Sequence, residues 1–116
     1  MSWTNHITDI KKVGSTVTCD PAPTDTDEDW LIYAKDIITF VGDCIEHGFK
    51  DEGYYPDSYF VSLRLHKNNL IVTNRKEFYD KFVLATHVCK TLNVLDKQHR
   101  IVVFQAILYG KEYGKP

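Results

Sequence analysis

The stretch from Gly14 to Ala34, GSTVTCDPAPTDTDEDWLIYA, constrains this chain more than any other. It joins a Gly-Ser pair, a proline-broken segment, an acidic run and an apolar run. Gly14 lets the backbone turn tightly or approach another group closely, where a side chain would forbid it. Ser15 adds a hydroxyl and an amide N–H, both able to meet a phosphate oxygen. Asp20-Pro21-Ala22-Pro23-Thr24 holds two prolines and reads as a loop. Asp25, Asp27 and Asp29 fall at alternate positions, so an extended backbone puts their carboxylates on one face. Trp30 to Ala34 then continues as a buried strand.

Like charges on one face repel, and at a half-buried strand end that is costly unless a cation sits there. Oxygen-only ligands favour a hard cation such as Mg2+ (or Mn2+), which takes one or two carboxylates and completes its shell with water and phosphate oxygens. A phosphate-cradling turn just upstream of a metal-binding Asp pair is what transfer of a nucleotidyl group needs.

These residues resemble the active-site signature of the polymerase-β-like nucleotidyltransferases: Gly-Ser, a spacer, a small hydroxyl residue, Asp, any residue, Asp and an apolar strand. Gly14-Ser15 supplies the first half and Thr26-Asp27-Glu28-Asp29-Trp30-Leu31-Ile32 the second. Thr24-Asp25-Thr26-Asp27 offers another register, but the apolar strand follows Asp29 directly. The segments ATHVCKTLNVLDK and FQAILYG also resemble small nucleotidyltransferases encoded by tailed bacteriophages. The resemblance implies an α+β domain with the minimal nucleotidyltransferase fold, a small mixed sheet flanked by helices. It implies Mg2+-dependent transfer of a nucleoside monophosphate from a nucleoside triphosphate. Gly14 and Ser15 would hold phosphates, and Asp27 and Asp29 would bind metal. The acceptor would be a protein, a nucleic-acid end or a small molecule. In that superfamily a third carboxylate on a neighbouring strand activates the attacking hydroxyl. This chain has Asn69 at the matching place, before Leu70-Ile71-Val72. An amide cannot act as a base near neutral pH. The second class is therefore a non-catalytic nucleotide-binding module, or one that binds a host protein if phage-encoded.

At 116 residues the chain is expected to form one domain, residues 1–116, with a polar tail over 111–116. A net charge of −2 argues against tight sequence-independent binding of nucleic acid and leaves room only for a local basic patch. The three cysteines are odd in number and far apart, which disfavours a disulfide framework or zinc site and suggests a reducing cytoplasm (the host's, if phage-encoded). No apolar run approaches a membrane span or a signal-peptide core.

The remaining elements follow from periodicity. Trp3, Ile7 and Ile10, at spacings of four and three, predict a helix before Gly14. Ile37, Ile38, Val41, Ile45 and Phe49 predict a second, stopped near Gly48. Lys50 to Tyr59 reads as a loop with short extended pieces, whose Tyr54, Tyr55 and Tyr59 could stack on a base. Phe60 to Leu65, a turn at His66 to Asn69, and Leu70 to Thr73 predict a hairpin, which the resemblance to the nucleotidyltransferases sets beside the acidic strand. Asn74, with Glu77 three residues on, predicts a capped helix carrying Phe78, Phe82, Ala85, Cys89 and Leu92 on one stripe. Asp96 is expected to cap a last helix through Ile101, Phe104, Gln105 and Leu108. Arg64, Lys67 and Arg75 are the further candidates for phosphate contacts, read otherwise as solvated surface charge. His87 reads as a packed or surface residue beside the apolar stripe.

Overall fold

The computed structural model describes residues 6–19, 27–54 and 60–109. The loop expected over 20–24, the alternative residue Asp25, Tyr55, Tyr59 and the tail 111–116 lie outside the described residues. Nine elements follow in chain order: β1 (Asp9–Val13), α1 (Ser15–Thr18), β2 (Glu28–Tyr33), α2 (Ile37–Glu46), β3 (Lys50–Tyr54), β4 (Val61–Leu65), β5 (Asn68–Thr73), α3 (Lys76–Thr91) and α4 (Lys97–Tyr109). The strands form one mixed sheet in the order β1-β2-β5-β4-β3. Only the central pair, β2 and β5, is parallel. Its crossover carries α2, β3 and β4, since parallel neighbours need a long connection.

The period-two alternation of β2 divides the molecule. Trp30 and Ile32 face α2, where Phe40 and Cys44 pack with Leu63, Leu70 and Val72. Leu31 and Tyr33 face the other way, onto Val13, Phe78, Tyr79 and Phe82. Helix α4 packs outside α3, with Phe82 and Phe104 edge to face at 5.0 Å between ring centroids. Asp36 caps α2, accepting from the Thr39 N–H at 3.2 Å and the Thr39 hydroxyl at 2.7 Å. Burial pushes the Cys44 thiol up to about 12, so it is an inert core group. Asp96 caps α4 as expected, accepting from the N–H groups of Gln98 and His99.

Three expectations are corrected. Residues Asp9–Val13 are a strand, not a helix. The 4-and-3 spacing is real, but Ile10 pairs with Ile32 and Val13 with Asp29 in an antiparallel ladder. Ladder hydrogen bonds and the burial of Val13 outweigh three apolar positions, too few to stabilise a short helix. The segment from Lys50, expected as a loop with only short extended pieces, begins with a full edge strand at Lys50–Tyr54 that carries a register shift. Its polar sequence hid it because an edge strand need bury little. Helix α3 starts one residue later than Asn74 would set it: Arg75 holds the cap position with no side-chain cap, while Glu77 still sits in the first turn. The hairpin β4–β5 turns at His66-Lys67, with His66 at φ 56°.

Candidate functional site

The two halves of the Gly-Ser and Asp-x-Asp stretch meet at the head of the sheet. Val13 is the register partner of Asp29, so the chain leaving β1 turns at Gly14 directly against that carboxylate. Gly14 has φ +84°, and a Cβ there would lie 2.2 Å from Asp29 Oδ2. The turn needs glycine for both its backbone conformation and the space its missing side chain leaves. The Gly14 carbonyl accepts from the N–H groups of Val17 and Thr18 at 3.0 Å each, which starts α1 at Ser15.

Asp29 lies on the α3 face of β2 by alternation with Leu31. Its register partner on β5 is Asn69, whose Nδ2 donates to Asp29 Oδ1 at 3.1 Å. Asn69 is oriented from its other side: the hydroxyl of Ser62, buried on β4, donates to Asn69 Oδ1 at 3.1 Å. Ser62, Asn69 and Asp29 thus form a chain of hydrogen bonds across three strands. Asp27 pairs with the guanidinium of Arg64, whose Nε also donates to Glu52 Oε1 at 3.1 Å. Arg64 therefore sits in the site, spanning two carboxylates. Lys67 forms the hairpin turn beside Asp27, and its carbonyl accepts from the Glu28 N–H at 2.7 Å. Arg75 lies two residues past the opposite end of β5, whose last residue, Thr73, is itself roughly 13 Å of strand beyond Asn69 at the usual rise per residue. Sequence reasoning missed Ser62 and Glu52; for Ser62, its alternation with Arg64 on β4 was the available signal.

Burial raises the pKa of Asp29; the Asn69 hydrogen bond opposes this, the Asp27 charge adds to it and Arg64 lowers it again. A carboxyl raised in the folded state adds stability below the ordinary carboxylate range and loses it as pH rises through its elevated pKa. Ionised Asp29 is thus a cost to the fold at neutral pH. Asp29→Asn keeps an oxygen for the Asn69 amide and removes the charge. The variant is expected to melt roughly 2–5 °C higher at pH 7, with no gain near pH 3 where Asp29 is protonated in both folded and unfolded chains. Thermal melts at the two pH values check this.

The donor set fits one hard cation. Asp27 and Asp29 lie two positions apart on one face, both supply oxygen, and part of the upward push on Asp29 comes from Asp27. Among the described residues no group of three or more His, Cys, Asp and Glu side chains is placed to hold a metal ion. A protein-only cage is not built here. A site completed by water and phosphate oxygens is compatible with the two carboxylates.

No protein-family model matches the sequence, and no curated protein matches it. Among solved structures, the chain is similar to the conserved protein GrpB from Enterococcus faecalis, at 13% identity and a TM-score of 0.50, over 96% of this chain and 80% of that one. It also matches a cytoplasmic RNA terminal U-transferase, at 15% identity and a TM-score of 0.49. That match covers 84% of this chain but only 30% of the transferase. The likeness to GrpB is one of fold. The fold itself, a five-stranded mixed sheet with helices on both faces, is consistent with a minimal nucleotidyltransferase fold. No helix among the described residues is long and apolar enough to cross a membrane.

Proposed function

We propose that this chain binds a nucleoside triphosphate with Mg2+ at the head of β2 and transfers its nucleoside monophosphate to an acceptor. The observation that carries the reading is the contact of Gly14 with Asp29, which unites a glycine turn and two adjacent carboxylates at one strand end. Asp27 and Asp29 would hold the cation, which supplies charge neutralisation at the reacting phosphate when bound. The Gly14-Ser15 turn offers backbone N–H groups to phosphate oxygens. Arg64 would exchange its Asp27 partner for the phosphates once the carboxylates are otherwise neutralised, and Lys67 stands beside it to add a second positive charge. Asn69 fixes the Asp29 carboxylate but can take no proton from an attacking hydroxyl.

That last observation favours a second reading, in which the site binds nucleotide without turnover and the domain serves as a nucleotide-dependent interaction module. Calorimetry with the four ribonucleoside triphosphates, with and without Mg2+, tests the shared part. Binding is expected to require Mg2+ and to weaken at least tenfold in Asp27→Ala/Asp29→Ala. Absence of binding for all four in the folded wild type overturns the nucleotide site. Release of pyrophosphate from a bound triphosphate then separates transfer from binding alone.

A further inference from the structure

The chain is acidic overall, yet one groove concentrates positive charge. Strand β1, helix α1 and helix α3 enclose a space of about 450 Å³, lined by Lys11, Val17, Val83, Thr86, His87 and Lys90, together with Lys12. Among the described residues no carboxylate lines it. Lys12 is spoken for, its ammonium 3.0 Å from Glu28 Oε1. Lys11, His87 and Lys90 are exposed, and none makes an ion pair among the described residues. Elsewhere on α3 the lysines are matched: Lys76 to Asp80 and Asp9, Lys81 to Glu77. The groove therefore departs from the charge balance of its own helix.

Its two walls carry the lysines, Lys11 from β1 and Lys90, with His87 beside it, from α3. Val17 from α1 and Val83 from α3 add aliphatic surface to the lining. A single small anion would use one wall and leave the aliphatic surface without a partner. A ligand with spaced negative charges and flat, weakly polar units between them fits both features. We infer that this groove binds a segment of single-stranded nucleic acid, with phosphodiesters on Lys11 and Lys90 and a base or ribose against Val17 and Val83. The net charge of −2 confines attraction to this groove and keeps affinity in the ordinary range of non-specific binding, about 10⁻⁴–10⁻⁶ M. The inference adds a strand-binding surface to the nucleotide site without resting on it. The two share no lining residue, although Gly14, at the nucleotide site, directly follows the β1 strand that supplies Lys11.

Fluorescence polarisation with a labelled ten-nucleotide RNA at low salt tests it. Binding is expected to fall about tenfold in Lys11→Ala/Lys90→Ala, both exposed positions whose change leaves the core intact. It should lose affinity with salt at a slope near that of two phosphate contacts, about −1.4 in log–log form. Asp27→Ala/Asp29→Ala should bind the RNA as well as or better than wild type, so failure of the nucleotide site leaves this result standing. An undiminished signal in the lysine double variant, or no binding by the wild type, overturns the inference. So does equal competition by an oligo-glutamate of matching charge, which would mark the groove as a general anion surface.

Discussion

Asn69→Asp is expected to raise the rate of nucleotidyl transfer by about 10²–10⁴, the usual worth of a positioned general base. The wild-type geometry explains why one atom matters so much. Asn69 is the register partner of Asp29, and its amide donates into that carboxylate. The Ser62 hydroxyl would still donate to an aspartate at this position, so the side chain keeps its orientation. What changes is its inner edge, from a donor that quiets Asp29 to an acceptor that repels it. Asp27, Asp29 and the new carboxylate would then crowd around the Arg64 guanidinium that now pairs with Asp27. Without Mg2+ the variant should melt several degrees below wild type, since each unrelieved like-charge contact costs from about 1 kcal/mol in bulk water to about 4 kcal/mol near a protein surface. With Mg2+ that deficit should close. Pyrophosphate release and paired melts check both halves. A variant that folds, shows no Mg2+-dependent recovery and gains no rate would count against the transferase reading and for binding without turnover.

Gly14→Ala is expected to destabilise the protein by about 3 kcal/mol and lower its melting temperature by roughly 10 °C or more. Two penalties combine. A side chain at φ +84° is strained wherever it is placed. The added methyl also meets Asp29 Oδ2 at 2.2 Å, Cγ at 2.9 Å and Cβ at 3.0 Å. The carboxylate can retreat only by giving up the Asn69 hydrogen bond that holds it. Gly42 gives the control. It lies within α2 with nothing near the position of an added Cβ, so Gly42→Ala should stabilise the protein by about 0.5–1 kcal/mol. Thermal melts of the two variants separate site strain from the general effect of replacing glycine. Equal behaviour of the two would remove the close approach of Gly14 to Asp29 from the argument.

Much of this arrangement was legible before any coordinates. The α2, α3 and α4 periodicities and the β4–β5 hairpin rest on hydrophobic spacing that local sequence carries. The place of that hairpin beside the acidic strand, and of Asn69 on it, rests on the resemblance to the nucleotidyltransferases, and the ladder pairs Asn69 with Asp29. What sequence could not carry was pairing energy. Asp9–Val13 has a helical spacing of apolar residues and becomes a strand because β2 offers it a ladder. Lys50–Tyr54 has almost no apolar content and becomes a strand because β4 offers it an edge. Arg64 was legible as a phosphate-facing cation but not as the partner of Asp27 and Glu52, which depends on a strand order visible only in three dimensions. The groove between β1 and α3 was hidden for the same reason. Lys11 and Lys90 are 79 positions apart in sequence, and nothing in either neighbourhood announces the other.

The parallel pairing of β2 with β5 also governs when the site can exist. Asp29 leaves the ribosome long before Asn69 does, and the strand that orients Asn69 lies between them in the chain. A nascent chain that has already exposed Gly14, Ser15, Asp27 and Asp29 therefore displays the whole local motif without a formed site. Asp29 waits for a partner 40 residues downstream and Asp27 for one 37 residues downstream. Synthesis past the β4–β5 hairpin is the step that turns an acidic segment into a folded centre, and a chain stalled before it should show neither protected β2 amides nor a held Asp29.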